Sequence, residues 1–323
     1  MRIRPFAALS VVAVSTLLLA GCSAATDPNA TPTPTSTAAS ECLLDAKPGA
    51  DSDAIEVTGS GADLAATIPG DLAFEDVERT IVTEGSGDDV VAGDLVSGFY
   101  TIYDGGTGEV LQDSSDTSAA DSGEVPIMMD PQQFSLFVAA LECAPIGSTV
   151  AMSIPGSAFG EGASPVVIVA ETTDFVPLSA DGAEQEPVEG MPTVELADDG
   201  EPTITVPSDF AAPDTTQIAV LKKGDGPVVE SGDTVFVQYT GVLPDGTVFD
   251  SSWQRGAPTQ FQTTGVVQGF QKALEGQTVG SQVIAVIPAS EGYGDTAQGS
   301  IPANSPLIFV VDILGVQRAA AQQ

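Results

Sequence analysis

Apolar and polar positions alternate along residues 234–240. Val235, Val237 and Tyr239 fall on one side and Thr234, Phe236, Gln238 and Thr240 on the other, the period of two that marks a sheet strand. Pro244-Asp245-Gly246 supplies turn chemistry before Thr247–Phe249, which predicts a hairpin. From Val267 to Leu274 the period changes: Val267, Phe270, Ala273 and Leu274 recur at helical spacing, and Gly276 follows as a stop. Val283–Ile287 and Leu307–Leu314 are apolar runs rich in β-branched residues and read as strands. One short helix among several strands predicts an α+β fold, an antiparallel sheet wrapped around that helix.

The chain then proves to contain this pattern twice. F-V-A-A-L-E-C-A-P-I-G-S-T-V-A-M-S-I-P from Phe137 matches F-Q-K-A-L-E-G-Q-T-V-G-S-Q-V-I-A-V-I-P from Phe270, and A-F-G-E at Ala158 matches G-Y-G-D at Gly292. S-P-V-V-I-V at Ser164 pairs with S-P-L-I-F-V at Ser305, and upstream A-A-T-I-P ending at Pro69 parallels T-I-T-V-P ending at Pro207. Self-similarity of this length predicts a duplicated domain. The copies are placed at 50–178 and 191–317, joined by an acidic linker at 179–190, with a tail at 318–323 that is expected to fray after Arg318.

Residues 1–21 read as an export signal. Arg2 and Arg4 precede an apolar stretch from Phe6 to Ala20 that is short for a membrane span. It ends in L-L-A-G-C, which resembles the lipobox of bacterial lipoproteins; that resemblance implies lipidation of Cys22 and a chain held on the extracytoplasmic face of the cell membrane. The alternative is an ordinary cleaved signal with Cys22 as a spare thiol. The Thr/Pro-rich stretch that follows, within 22–49, has little to bury and is expected to act as a disordered tether. Lipidation leaves Cys42 and Cys143, an even pair in an oxidising compartment, and a disulfide between them is expected, two separate thiols being the alternative.

Composition narrows the chemistry. The chain has no His, which excludes Ser-His-Asp and Cys-His catalysis and His-containing metal sites, and three Cys cannot form a four-Cys zinc site. No acidic loop has calcium-loop spacing, so neither a metal nor any other cofactor is expected. Nine Lys and Arg stand against 45 Asp and Glu. A field of that sign repels phosphate backbones and argues against nucleic acid as a partner.

Five blocks in the second copy carry a more specific message. Y-T-G at Tyr239, D-G-T-V-F-D-S-S from Asp245, V-V-Q-G-F at Val266, S-E-G-Y-G at Ser290 and I-P-A-N-S-P-L-I-F at Ile301 follow one another in order. Together they resemble the FKBP-type peptidyl-prolyl cis-trans isomerases, and the whole chain resembles a bacterial lipoprotein with two tandem FKBP-like domains. The resemblance implies isomerisation of X-Pro bonds in proline-containing exported polypeptides, with macrolide inhibitors of that family as further ligands. It implies a pocket walled and floored by Tyr239, Phe249 and Phe270, with Asp250 beside the twisting bond and the Tyr293 hydroxyl on a substrate carbonyl. Val267 and Ile301 would bracket the substrate, the backbone N–H of one or both holding a peptide carbonyl. One wall departs from the family: its position falls on Thr259, with Phe261 two residues further on.

The first copy keeps the framework and loses parts of this pocket. Phe159 replaces Tyr293, L-Q-D-S-S at Leu111 replaces F-D-S-S, and the loop that holds Ile301 is shortened to Glu161–Ala163. Catalysis is therefore expected in the second copy. The competing reading is a non-catalytic, peptide-binding folding chaperone at the cell surface.

Overall fold

The strand pattern becomes two antiparallel sheets in a computed structural model, which describes residues 42, 44, 46–130 and 135–319. The export signal, Cys22, most of the tether and the last four residues lie outside the described residues. After α1 (Ala50–Ala54) comes a small hairpin, β1 (Glu56–Thr58) and β2 (Ala65–Thr67). The first large sheet uses β3 (Glu78–Thr83), β4 (Leu95–Asp104), β5 (Val110–Asp113), β6 (Val125–Met128), β7 (Thr149–Ile154) and β8 (Val166–Phe175), with α2 (Leu136–Leu141) between β6 and β7. Its order is β3-β7-β8-β4-β5, and β6 pairs with β4.

The second sheet repeats this topology. It follows β9 (Ala183–Glu184) and a second small hairpin, β10 (Thr193–Leu196) with β11 (Pro202–Thr205). Its strands are β12 (Gln217–Lys223), β13 (Thr234–Val242), β14 (Val248–Ser251), β15 (Thr259–Gln262), β16 (Gln282–Ile287) and β17 (Leu307–Gln317). Helices α3 (Ser252–Arg255) and α4 (Gln268–Leu274) flank β15. The order is β14-β13-β17-β16-β12-β9, with β15 on β13. Even the irregularities correspond: β13 slips against β17 between Phe236 and Val237, and β4 slips against β8 between Ser97 and Gly98.

Each large sheet is covered on both faces, which explains why its central strands read as unbroken apolar runs. On the helix side of the second sheet, Val237, Tyr239, Leu307, Phe309 and Val311 pack with Phe270, Ala273 and Leu274 of α4. On the other side, Val242, Ile284, Val286, Ile308 and Val310 pack under Ile204, Met191 and Val194 of the small hairpin. The first hairpin does the same with Val57, Leu64 and Ala66 over Phe99, Val167 and Val169. The upstream similarity seen in the sequence therefore marks a second layer, without which the outer face of each sheet would be in water. Burial of apolar area at roughly 25 cal/mol per Å² supplies the reason for that layer.

The acidic stretch expected as a linker is docked along the second sheet. Ala183 and Glu184 pair with Lys223 and Lys222 of β12. The N–H of Ala180 donates to Asp312 Oδ2 at 2.8 Å, and Gln282 Nε2 donates to Oδ1 at 2.7 Å. Burial raises the Asp312 carboxyl above the ordinary carboxylate range, and these two donors oppose the shift. Acidic composition hid this edge strand, because its partners are backbone groups rather than apolar side chains.

The copies also touch. Leu95 packs with Phe236 and Leu314, joined by Met128 and Val176. Gln317 Nε2 donates to the Pro126 carbonyl at 2.7 Å, and the Arg318 N–H to that of Thr117. Arg318, which precedes the segment expected to fray, is held because its guanidinium pairs with the buried carboxylate of Asp233.

Cys42 and Cys143 are joined by a disulfide that closes a separation of 101 residues. Chain-entropy arguments assign about 4–5 kcal/mol to a loop of that length. Replacing both cysteines by serine should lower the unfolding free energy by up to about 4 kcal/mol. Urea unfolding of the oxidised and double-serine chains checks this, and equal midpoints would contradict it.

Candidate functional site

The inner face of the second sheet ends in a cavity of about 270 Å³. Alternation along β13 sends Tyr239 to this face, β14 contributes Phe249 and Asp250, β15 contributes Phe261, and α4 contributes Phe270. Phe309 of β17 lies among them. Its ring centroid is 4.8 Å from that of Phe270, 5.3 Å from Phe249 and 6.2 Å from Tyr239. Tyr239 and Phe270 each stand 5.7 Å from Phe261. Tilted and edge-on contacts of this kind suit the ring quadrupoles and fix the rings against one another. Val266 and Val267 line the same cavity, and Val267 is the cap of α4.

Gly241 makes the arrangement possible. A Cβ at this position would lie 2.6 Å from Phe249 Cζ and 2.8 Å from Phe309 Cε1, so only glycine lets the two rings meet over β13.

The polar edge is a three-membered network. The Tyr239 hydroxyl donates to Asp250 Oδ2, and Arg255 donates to Asp250 Oδ1. Arg255 Nη2 also donates to the Tyr239 oxygen at 3.0 Å, with its guanidinium carbon 5.4 Å from the ring centroid. The Asp250–Arg255 pair is about half exposed, so its role is orientation more than stability. Burial, followed by the bond to the Asp250 carboxylate, pushes the Tyr239 phenol up to about 12. It therefore remains a proton donor throughout the neutral range. Tyr293 sits at the cavity mouth, 39% exposed, and its hydroxyl has no protein partner among the described residues.

Two sequence expectations change here. Ile301 is buried in the core and its N–H donates to the Gln298 carbonyl at 2.9 Å, so that donor is already engaged within its own loop. Val267 brackets the cavity without it. Thr259 pairs with Val237, and Phe261, two residues on and so on the same strand face, supplies the ring at this wall. Sequence reasoning passed over Phe309, Val266 and Arg255. Alternation from Leu307 would have put Phe309 inward, but a run that is apolar on both faces does not reveal which face matters.

Among known proteins, a model of the FKBP-type peptidyl-prolyl cis-trans isomerases matches residues 226–314. An FK506-binding protein 1 from Debaryomyces hansenii is 43% identical over 112 residues, which cover 33% of this chain and 99% of that protein. The chain belongs to the FKBP-type peptidyl-prolyl cis-trans isomerase family. An FK506-binding protein of Streptomyces anulatus is 40% identical over 122 residues, covering 36% of this chain and 90% of that protein. A probable FKBP-type peptidyl-prolyl cis-trans isomerase of Haemophilus influenzae is 45% identical over 107 residues, covering 32% of this chain and 44% of its own. The chain spans less than half the length of that relative.

The FKBP match covers the second copy, and the first differs at the cavity. Strand register puts Tyr100 at the place of Tyr239, Gln112 at that of Asp250, Ile127 at that of Phe261 and Ile168 at that of Phe309. Gln112 Nε2 donates to the Tyr100 hydroxyl at 2.7 Å, and Tyr100 packs against Phe137 in a tilted contact with centroids 4.6 Å apart. Leu111 is 57% exposed and Phe159 is 47% exposed. The rings that enclose the second cavity are thus reduced to one packed pair.

With its phenol held near 12, Tyr239 adds almost nothing to tyrosinate absorbance at pH 10.5. Tyr239→Phe should leave that absorbance within about one-twentieth of a phenolate of wild type, with the fold checked by circular dichroism. A drop of half a phenolate or more would contradict the buried, carboxylate-bonded hydroxyl.

Proposed function

We propose that the second copy isomerises X-Pro bonds, in a chain built from two tandem FKBP-like domains at 50–178 and 191–317. The observation that supports it is an aromatic slot ringed by Tyr239, Phe249, Phe261, Phe270 and Phe309, whose one lining carboxylate is bonded to Tyr239 and Arg255. Nothing in that slot is placed as a nucleophile, and the reaction asks for none. Rotation about the prolyl bond faces a resonance barrier of about 18–20 kcal/mol. The planar amide carries partial charge on oxygen and nitrogen, and the twisted amide loses that delocalisation. Seating the prolyl ring among aromatic faces removes water from the planar form, and contacts to neighbouring residues then favour the twisted one.

Magnitudes distribute the work. A rate gain of 10⁶ needs about 8 kcal/mol, whereas one neutral hydrogen bond such as that of Tyr293 contributes about 1 kcal/mol. The enclosed slot must supply most of the effect. Two relatives carry the name FK506-binding protein, which supports a macrolide of that kind as a competing occupant of the slot.

The substrates in this reading are proline-containing polypeptides newly exported across the cell membrane. The apolar N-terminal stretch and L-L-A-G-C support a lipid on Cys22 that keeps the chain on the extracytoplasmic face. One acyl chain holds a protein to a membrane only marginally, and a diacylglycerol-bearing cysteine holds it firmly. The first copy, with its reduced set of rings, serves as a spacer or peptide-holding domain.

A prolyl isomerisation assay on the chain from residue 23 tests the ordering of contributions. Phe249→Ala should lower kcat/KM by more than about 30-fold and Tyr293→Phe by about fivefold. Equal losses, or an inactive wild type, would contradict this reading; the inactive case would leave peptide binding without catalysis.

A further inference from the structure

Tyr293 stands between two glycines on an exposed turn, and Gly294 has a φ of +62°. Backbone bonds close the turn itself, from the Gly292 N–H to the Pro288 and Ala289 carbonyls, from the Gly294 N–H to that of Ala289 at 2.8 Å and from the Asn304 N–H to that of Gly294 at 2.7 Å. The Tyr293 hydroxyl has no protein partner among the described residues, so its direction depends on how the turn as a whole is seated against the slot. Two residues earlier, Glu291 is fastened from two sides. Oε1 accepts from Lys272 Nζ at 2.8 Å, and Oε2 accepts the Thr216 N–H at 3.1 Å together with the Thr216 hydroxyl. Lys272 lies on α4, two residues beyond Phe270 of the slot, and Thr216 leads into β12.

The junction is close-packed. A Cβ on Gly269 of α4 would lie 2.7 Å from Thr216 Oγ1 and 2.8 Å from Ile287 Cγ1. The helix therefore approaches β16 closely enough for Thr216 and Lys272 to reach one carboxylate. The Lys272 contact, followed by the Thr216 bonds, lowers the Glu291 carboxyl to about 2, so it is ionised wherever the chain is folded near neutrality.

The first copy lacks the whole set. By the repeat alignment, Leu136, Ala139 and Ser157 stand where the second has Gly269, Lys272 and Glu291, and Phe159 stands for Tyr293. The fastening is absent in the copy whose hydroxyl is absent.

We infer that Glu291 is a positioning residue for isomerisation: by tying the turn of Tyr293 to α4 and to Thr216, it sets the hydroxyl over the slot floored by Phe270. The inference rests on the isomerase reading of that slot. Glu291 touches no substrate and acts through Tyr293.

The test is a cycle of four chains from residue 23: wild type, Glu291→Ala, Tyr293→Phe and the double variant, each assayed for prolyl isomerisation with kcat and KM separated. Glu291→Ala should lower kcat about three- to fivefold with KM changed less than about twofold. On the Tyr293→Phe background the same change should cost less than about 1.5-fold. Glu291→Gln, which keeps acceptor oxygen but not charge, should fall between wild type and Glu291→Ala, and Lys272→Met should resemble it. Full activity in Glu291→Ala overturns the inference, as does an equal fold-loss with and without the Tyr293 hydroxyl, which would mean that Glu291 supports the fold alone. An inactive wild type would fail the isomerase reading itself and carry this inference with it.

Discussion

The contact of Phe249 and Phe309 over Gly241 governs the rest of the second copy. Two rings on the strands that flank β13 meet edge to face across it only because the residue beneath them has no side chain. The ladders of β13 with β14 and β17 set how far those two strands stand apart, and the ring contact across them closes one side of a space that Tyr239, Phe261 and Phe270 complete. The space left between them is a slot rather than a filled core. Elsewhere the inner face packs as protein interiors do, and where Ile168 and Ile127 replace two of the rings, Tyr100 and Phe137 fold together instead.

The slot occupies one face of the sheet, and a second layer covers the other. The hairpins β1–β2 and β10–β11 seal the outer surfaces, while β9 closes the outer edge at β12. The buried Asp312 carboxylate holds that edge through the Ala180 N–H, which is worth more in an interior than in water. The polar network at the slot's rim works differently. Tyr239 is buried, whereas Asp250 and Arg255 are about half in solvent, so their ion pair fixes direction rather than adding much stability.

Much of the fold was legible in the sequence for physical reasons, whereas the site was legible through resemblance. Alternation along β13 and helical spacing along α4 put Tyr239 and Phe270 on buried faces, and the turn at Pro244-Asp245-Gly246 marked the hairpin that leads to Phe249. That these residues and Asp250 belong to one pocket followed only from the five ordered blocks shared with the FKBP-type isomerases. Phe309 was not readable in this way, since β17 is buried on both faces and its pattern has no polar side. Thr259 drew attention through spacing along the chain, whereas Phe261, two residues on along the same strand face, is the one that lines the cavity. Ile301 had the right place in its block, but sequence cannot show that a neighbouring carbonyl already takes its N–H. The edge strand at Ala183 and the seating of Arg318 were hidden for one reason: backbone groups and a single buried carboxylate hold them, and neither leaves an apolar pattern.

The central claim is that a prolyl ring enters the aromatic slot of the second copy. The direct measurement is isotope-edited nuclear magnetic resonance of the chain from residue 23 with a labelled proline-containing peptide, reading cross-relaxation from the prolyl ring protons. Contacts to Phe249, Phe270 and Phe309 are expected, and none to Tyr100 or Phe137. Prolyl contacts confined to the first copy, or to surface residues outside the slot, would contradict it.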